Sequence, residues 1–233
     1  MSNISIVALE RAEFTYAPRS WAFADARRAE IDAHFAKRRR SAPEIWNGQV
    51  LLLSDYVLNG AALAGTFFAT DYASFMAWED WGFPDRSVAN GFAMGAVRAA
   101  DGAYLLGVMG AHTAKAGMIY FPAGTPDPSD IDGARVDLGR SVVREVNEET
   151  GLTAADLTIE RGWTAVLSDC RIALMKTMQS PLAADALRAR ILVHLAHEAK
   201  PELADIRIVR GRRDFDTAMP NFVRAFLADR LSG

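Results

Sequence analysis

Three glutamates are spaced to share one face of a helix near the middle of the chain. Glu145, Glu148 and Glu149 stand at positions i, i+3 and i+4, which places their carboxylates side by side. Like charges at this spacing repel, and the end of a helix is the negative pole of its dipole. A divalent cation resolves both conflicts, because Mg²⁺ prefers carboxylate oxygens and keeps waters for phosphate-bearing substrates. The alternative is a solvent-facing acidic surface, which explains most such clusters.

The glutamates need a helix, and the sequence predicts one over residues 138–149. Leu138, Val142 and Val146 supply an apolar stripe at helical spacing. Gly151 stands where a left-handed C-terminal cap is expected. A loop rich in Gly, Pro and Asp precedes the helix and would hold its N-terminal end.

The residues around the glutamates resemble the signature of the Nudix hydrolase family, G-x5-E-x7-R-E-U-x-E-E-x-G-U, where U is aliphatic. Residues 144–152 read Arg-Glu-Val-Asn-Glu-Glu-Thr-Gly-Leu and match every specified position of the second half. Gly124 matches the first glycine. The nineteen residues between Gly124 and Arg144 exceed the thirteen of the pattern by six. The chain is therefore similar to the family with an elongated first half.

The elongated half leaves the first glutamate of the signature without a counterpart in register, because Val136 stands there. Counting forward from Gly124 gives Asp130 as its replacement, and Asp137 lies one residue from the backward count. Both alternatives stay open. The excess residues 130–135 are expected to bulge from the loop, either as a passive insertion or as a wall around the substrate.

The resemblance implies a fold, a chemistry and a set of site residues. Nudix hydrolases are α/β/α sandwiches with a mixed sheet, and they cleave a nucleoside diphosphate linked to a group X, using Mg²⁺ or Mn²⁺. By position, the implied metal ligands are Glu145, Glu148, Glu149 and the carbonyl of Ala123. Arg144 is implied to orient the carboxylates through ion pairs. Glu202 is the candidate for an additional catalytic carboxylate, with a solvated loop residue as the alternative.

Four residues are candidates for substrate binding, and they are Gly124, His112, Lys115 and Trp46. His112 and Lys115 precede the strand that leads to Gly124, where they could meet a phosphate or a sugar, although exposed loop polarity explains them equally well. Trp46 could stack on a nucleobase, with core packing as the alternative.

A wider resemblance extends from about Trp46 to Arg210. Its short motifs, such as Trp46-Asn47-Gly48 and Gly95-Ala-Val97, look like the UDP-glucose diphosphatase branch of the family. This resemblance implies a pre-Nudix subdomain over residues 1–88, a Nudix domain over residues 89–233, and a nucleotide sugar as substrate.

Composition excludes several other classes of protein. With 50% hydrophobic and 24% charged residues among 233, the chain is neither disordered nor fibrous. A net charge of −3 argues against a general nucleic-acid binder. The single Cys170 cannot form an internal disulfide, and no apolar run approaches the ~18 residues of a membrane helix. We expect a soluble, cytoplasmic α/β protein with no nucleic-acid or membrane partner, whose partner is a small nucleoside diphosphate derivative.

The remaining elements are predicted from periodicity and from turn residues. Strands are expected at 4–7, 14–16, 49–54, 65–70, 91–98, 103–109, 118–121 and 206–210, and helices at 21–40, 71–81, 182–198 and after Pro220. The last helix carries an apolar stripe that indicates packing or a homodimer contact. Two functions remain, a metal-dependent diphosphate hydrolase and a non-catalytic Nudix-fold sensor of a nucleotide derivative. The presence of all three helix glutamates favours the enzyme.

Overall fold

The chain alternates short strands with amphipathic helices, and the computed structural model describes residues 4–231. The strands are β1 (Ile4–Leu9), β2 (Arg11–Tyr16), β3 (Gln49–Asn59), β4 (Ala62–Asp71), β5 (Val88–Arg98), β6 (Tyr104–Met109), β7 (Ile119–Tyr120), β8 (Ile131–Asp132), β9 (Arg135–Val136), β10 (Thr158–Ile159), β11 (Trp163–Ser168), β12 (Arg171–Gln179) and β13 (Leu203–Val209). The helices are α1 (Ala22–Ala26), α2 (Arg28–Ser41), α3 (Tyr72–Asp80), α4 (Leu138–Thr150), α5 (Ala184–His197) and α6 (Asn221–Arg230).

Strand β5 is the centre of the sheet. Residues 90–98 of β5 pair in parallel with β12, beginning with Asn90 opposite Arg171. The first two residues of β5 pair antiparallel with β3. The strand order is β1-β11-β12-β5-β3-β4-β2-β9-β8, and β6 branches off to pair with β7 and β13. The predicted mixed sheet is confirmed.

Alternation along β5 separates two helical layers. Ala93 and Val97 belong to the apolar cluster that contains α4 and α5, whereas Phe92 and Met94 belong to the cluster that contains α6. Side chains of a strand alternate between its faces, so each face of the sheet meets its own helices. The predicted arrangement of a sheet between helical layers is confirmed. The apolar stripe of α6 packs in this second cluster, where Phe226 is fully buried.

The N-terminal helices cover the outer face of β3 and β4. Val50 and Leu52 of β3 pack in a cluster with Trp78 of α3, while the intervening Leu51 points to the cluster of α4. The predicted single helix over 21–40 is wrong, since Arg27 leaves helical geometry (φ −118°, ψ 19°) and separates α1 from α2.

The strands of residues 4–88 join the sheet of the remaining chain. β1 pairs with β11, and β2 pairs with β9. The division at residue 88 stays a prediction. No helix among residues 4–231 has the length and apolarity that crossing a membrane requires.

Candidate active site

Helix α4 is held at both ends and lies close to the sheet. The Asp137 side chain accepts a hydrogen bond from the N–H of Arg140 at 2.9 Å, and Gly151 has the left-handed conformation (φ 69°) expected of the cap. On the sheet, a Cβ at Gly95 would lie 2.1 Å from Cγ2 of Val146. A residue with a side chain at position 95 would therefore push the helix away, so this glycine sets the depth of α4 against β5.

Glu145 faces the loop that follows β7. A Cβ at Gly124 would lie 2.4 Å from its Oε1, so only glycine leaves room for this carboxylate. Burial raises the pKa of Glu145 from its usual 4.5 to about 7, and Glu148 and Asp130 add to the shift, while Arg144 opposes it. Near neutral pH this carboxyl is poised between its two protonation states.

Glu149 is anchored by the same loop. The backbone N–H of Ala123 donates to its Oε1 at 3.0 Å, whereas its Oε2 is buried and has no hydrogen-bond partner among the described residues. Burial raises the pKa of Glu149 well above its usual value, although the Ala123 hydrogen bond opposes the shift. Buried acceptors normally have a partner, so the free oxygen marks a position where a ligand would be bound.

Arg144 joins three carboxylates. Its Nη2 lies 3.1 Å from Oδ1 of Asp130 and 3.1 Å from Oε1 of Glu145, and its Nη1 lies 3.6 Å from Oε2 of Glu148. Glu148 is the exposed member, with 58% of its side chain accessible. The ion pairs expected of Arg144 are present, but the third partner is Asp130 and not Glu149.

The structure distinguishes the two candidates for the missing first glutamate. Asp130 is buried and accepts from Arg144, while Asp137 is engaged as the N-cap of α4. The salt bridge between Asp130 and Arg144, the residue before Glu145, connects the segment that precedes α4 to the helix. Asp130, which the forward count from Gly124 indicates, is therefore the one of the two candidates that pairs with Arg144.

The expected bulge at residues 130–135 is wrong. Ile131–Asp132 and Arg135–Val136 form a hairpin, and Val136 pairs with Phe14 of β2. The hairpin adds two strands to the sheet edge because its apolar residues reach the core, where Val136 is 4% exposed. None of residues 126–136 lines the cavity that is described below, so the insertion does not form a wall of that cavity.

A cavity of about 660 Å³ opens beside the glutamates. Five of the predicted site residues line it, namely Ala123, Gly124, Glu145, Glu202 and Lys115. Glu202 immediately precedes β13, and burial raises the pKa of its carboxyl, with His112 opposing the shift and Glu148 adding to it. Glu202 is an exposed loop residue, as the sequence alternative states, and it also lines the cavity together with Glu145.

Five predicted site residues do not line the cavity, and these are Arg144, Glu148, Glu149, His112 and Trp46. The first three lie behind or beside Glu145 on α4. His112 is exposed near Glu202. Trp46 is 79% exposed and covers Gly48, where a Cβ would lie 1.9 Å from its ring, so its assignment to the core is wrong.

The structure adds cavity residues that sequence reasoning missed. Two of them are Glu79 and Arg171, which form an ion pair at 3.1 Å. The predicted Lys115 joins this pair, because its Nζ lies 3.5 Å from Glu79. Tyr120 lines the cavity as well, and burial together with Glu149 and Glu202 raises the pKa of its hydroxyl, which stays protonated at neutral pH. Glu79 and Arg171 are 92 positions apart, and no local pattern could connect them.

The carboxylate cluster fits a hard cation in its donor chemistry. In residues 4–231 no three His, Cys, Asp or Glu side chains already enclose a metal position, since Arg144 holds Glu145 and Glu148. The unpartnered Oε2 of Glu149 and the carboxylates of Glu145 and Glu148 nevertheless supply oxygen donors for a cation. Oxygen ligands of this kind suit Mg²⁺ or Mn²⁺.

Comparison with known proteins gives limited information. No protein-family model matches the chain, and no curated protein matches it. Among solved structures, a Nudix hydrolase from M. smegmatis, RenU, aligns at 16% identity with a TM-score of 0.38, over 61% of this chain and 81% of that one. The MutT protein from Methanosarcina mazei Go1 aligns at 16% identity with a TM-score of 0.37, over 61% of this chain and 92% of that one. At these scores the likeness decides nothing about this chain, and the assignment rests on its own residues.

Proposed function

We propose that this protein is a Nudix-type pyrophosphohydrolase, a metal-dependent enzyme that cleaves the diphosphate linkage of a nucleoside diphosphate derivative. One observation carries the proposal. Glu145 and Glu202 line one cavity, Glu149 of the same helix as Glu145 has a buried oxygen without a partner among the described residues, and Arg144 pairs with Glu145. This arrangement brings together residues from the signature helix and from the bend before β13, 57 positions after Glu145.

The residues of the chain have distinct roles in this proposal. Glu145, Glu148, Glu149 and the Ala123 carbonyl would hold the Mg²⁺ or Mn²⁺. When bound, such an ion neutralises charge on phosphate oxygens and lowers the pKa of an attacking water. Arg144 keeps Glu145 oriented, and the Ala123 N–H does the same for Glu149. Each carboxylate is thus positioned before a substrate arrives.

Glu202 is the proposed general base. Its carboxyl lines the cavity, and burial raises its pKa, which makes the carboxylate a stronger base than an exposed glutamate. Tyr120, protonated and on the same wall, can donate a hydrogen bond to a phosphate oxygen. Gly124 leaves the entrance to Glu145 open.

A nucleotide sugar is the proposed substrate class. A volume of about 660 Å³ lies within the range of sites that enclose a drug-sized ligand. The cavity is lined by the aromatic side chains of Phe75, Phe92 and Phe222 as well as by Glu145 and Glu202, which suits a ligand that has both an apolar group and phosphates. Membership of the UDP-glucose diphosphatase branch, cytoplasmic location and a homodimer stay predictions.

A substrate panel tests the proposal. The release of phosphate-containing products is measured with nucleotide sugars, dinucleoside polyphosphates, NADH, coenzyme A and nucleoside triphosphates as substrates. Each assay is run with Mg²⁺, with Mn²⁺ and with EDTA. We expect metal-dependent cleavage, with nucleotide sugars among the best substrates. Tight binding of a nucleotide derivative without turnover under any condition would support the non-catalytic sensor instead.

A further inference from the structure

The cavity extends along one face of β5, away from the glutamates. Asn90, Phe92 and Met94 alternate along the strand and all line the cavity. The glutamate end is near Gly95, whose N–H donates to the carbonyl of Pro122 at 2.9 Å, two residues before Gly124. Asn90 and Gly95 are five positions apart in an extended strand, a span of about 16 Å. The far end of the cavity is therefore at a distance that an extended nucleotide can bridge.

Asn90 has hydrogen-bonding capacity that the protein does not use. The residue is 8% exposed, and its Oδ1 has no hydrogen-bond partner among the described residues. Its backbone is fully engaged in the strand, with the N–H donating to the carbonyl of Cys170 at 2.8 Å. A buried carboxamide without a partner reduces stability, so its presence on a cavity wall points to a ligand.

Aromatic rings flank the carboxamide. Phe92 lies two residues along the same face of β5, and its ring centroid is 5.7 Å from that of Phe222 of α6, at an interplanar angle of 75°. Both rings line the cavity. An edge-to-face pair leaves a ring face open to a third planar group, and nucleobases stack on such faces.

The charges at this end do not favour another phosphate. Arg171 and Lys115 line the cavity, but both are paired with Glu79, whose side chain is only 10% exposed. Glu79 pairs with both cations and Asp169 also lines the cavity, so these four side chains together carry no net charge. The end of the cavity suits a planar, uncharged group that has hydrogen-bond donors and acceptors on its edge.

We propose that Asn90, Phe92 and Phe222 form a nucleobase subsite. The Asn90 carboxamide pairs with the edge of the base, since an amide offers a donor next to an acceptor and can bind a base with two hydrogen bonds. The base lies against the Phe92 and Phe222 rings, and the phosphates extend toward Glu145. The proposal rests on the proposed function, because it assigns the nucleoside half of that substrate to this end of the cavity.

Binding to a metal-free protein tests the subsite independently of hydrolysis. AMP, GMP, UMP and CMP are titrated calorimetrically into the wild type and into Asn90→Leu, with ribose 5-phosphate as the base-free ligand. We expect Asn90→Leu to bind the nucleotide that the wild type prefers roughly 10- to 100-fold more weakly, the effect of losing both hydrogen bonds, and to bind ribose 5-phosphate as the wild type does. Its Tm should not fall, because the substitution removes an unsatisfied polar group from the interior.

Control variants separate the subsite from general packing. Asn59→Leu makes the same exchange at the exposed end of β3 and should bind every ligand as the wild type does. Asn90→Ala serves if the leucine variant fails to fold. Phe222→Leu should also weaken nucleotide binding and spare ribose 5-phosphate.

The outcomes distinguish this proposal from the proposed function. Nucleotide binding that depends on Asn90, without any hydrolysis, would support the subsite and contradict the proposed hydrolase activity. Hydrolysis with equal KM in the wild type and Asn90→Leu would support the enzyme and overturn the subsite. Equal weakening of nucleotides and ribose 5-phosphate, or no nucleotide binding by the wild type, would also overturn it.

Discussion

The guanidinium of Arg144 lies 3.1 Å from both Asp130 and Glu145, and so links the hairpin before α4 to the first glutamate of the helix. Asp130 is itself fixed, since its Oδ2 accepts from the N–H of Asp127 at 3.2 Å. The position of the carboxylate cluster therefore depends on a residue outside the recognisable half of the signature.

Arg144→Lys should weaken metal binding and turnover together. A lysine is a single point charge and cannot contact Asp130 and Glu145 with the forked geometry of the guanidinium. The hydrolysis rate, measured over a series of metal concentrations, gives both the metal affinity and the turnover. Arg140→Lys, one turn earlier on α4, is the matched control and should change neither. A variant of Arg144 that altered only substrate affinity would make this residue a substrate contact.

Asp130→Asn should destabilise the fold by about 1–3 kcal/mol, because it removes the charge that faces Arg144 from a buried position. Urea unfolding measures the loss. Asp137→Asn is the control, since asparagine caps a helix as well as aspartate does and should cost almost nothing. If Asp137→Asn were the more damaging change, Asp137 would be the counterpart of the missing glutamate.

Glu148→Gln should lower turnover at least ~10²-fold while the fold stays intact. Its side chain is 58% exposed and supports no packing, so the loss would come from the metal cluster alone. Circular dichroism and unfolding curves check the fold beside the kinetic assay. Turnover near that of the wild type, with unchanged metal affinity, would remove Glu148 from the site.

Metal-free protein should lose stability as the pH rises from 5 to 8. Burial raises the pKa of Glu145 to about 7 in the folded state, whereas the unfolded chain titrates near 4.5. Between these values the folded state holds a proton that the unfolded state releases, so the free energy of unfolding falls as pH increases. Glu145→Gln stays neutral, and its stability relative to the wild type should rise by about 2 kcal/mol between pH 5 and pH 8. A difference that does not depend on pH would show that Glu145 titrates normally.

Local sequence signals predicted the helix of the site and its cap. The spacing of Val142 and Val146, with Gly151 after the last turn, depends only on neighbours in the chain, and α4 runs from Leu138 to Thr150 as expected. The Asp71 cap of α3 was predictable for the same reason, and its side chain accepts from the N–H of Ser74 at 3.0 Å.

Long-range contacts were outside the reach of sequence reasoning. No strand was expected over 158–179, yet β12 lies there beside β5. A strand buried on both faces loses the alternation that identifies exposed ones, as Ile172, Ala173 and Leu174 show by being buried in succession. The hairpin at 131–136 was also missed, because it is stabilised by pairing with β2, more than a hundred residues earlier.

Binding of Mn²⁺ to the isolated protein is the most direct test of the proposed metal site. Mn²⁺ is titrated into the wild type, into Glu149→Gln and into the surface control Glu160→Gln, with free Mn²⁺ followed by electron paramagnetic resonance. We expect Mn²⁺ to bind to the wild type and to Glu160→Gln but not to Glu149→Gln, because the unpartnered Oε2 of Glu149 would be a ligand. Equal Mn²⁺ binding by all three proteins, or none by the wild type, would contradict it.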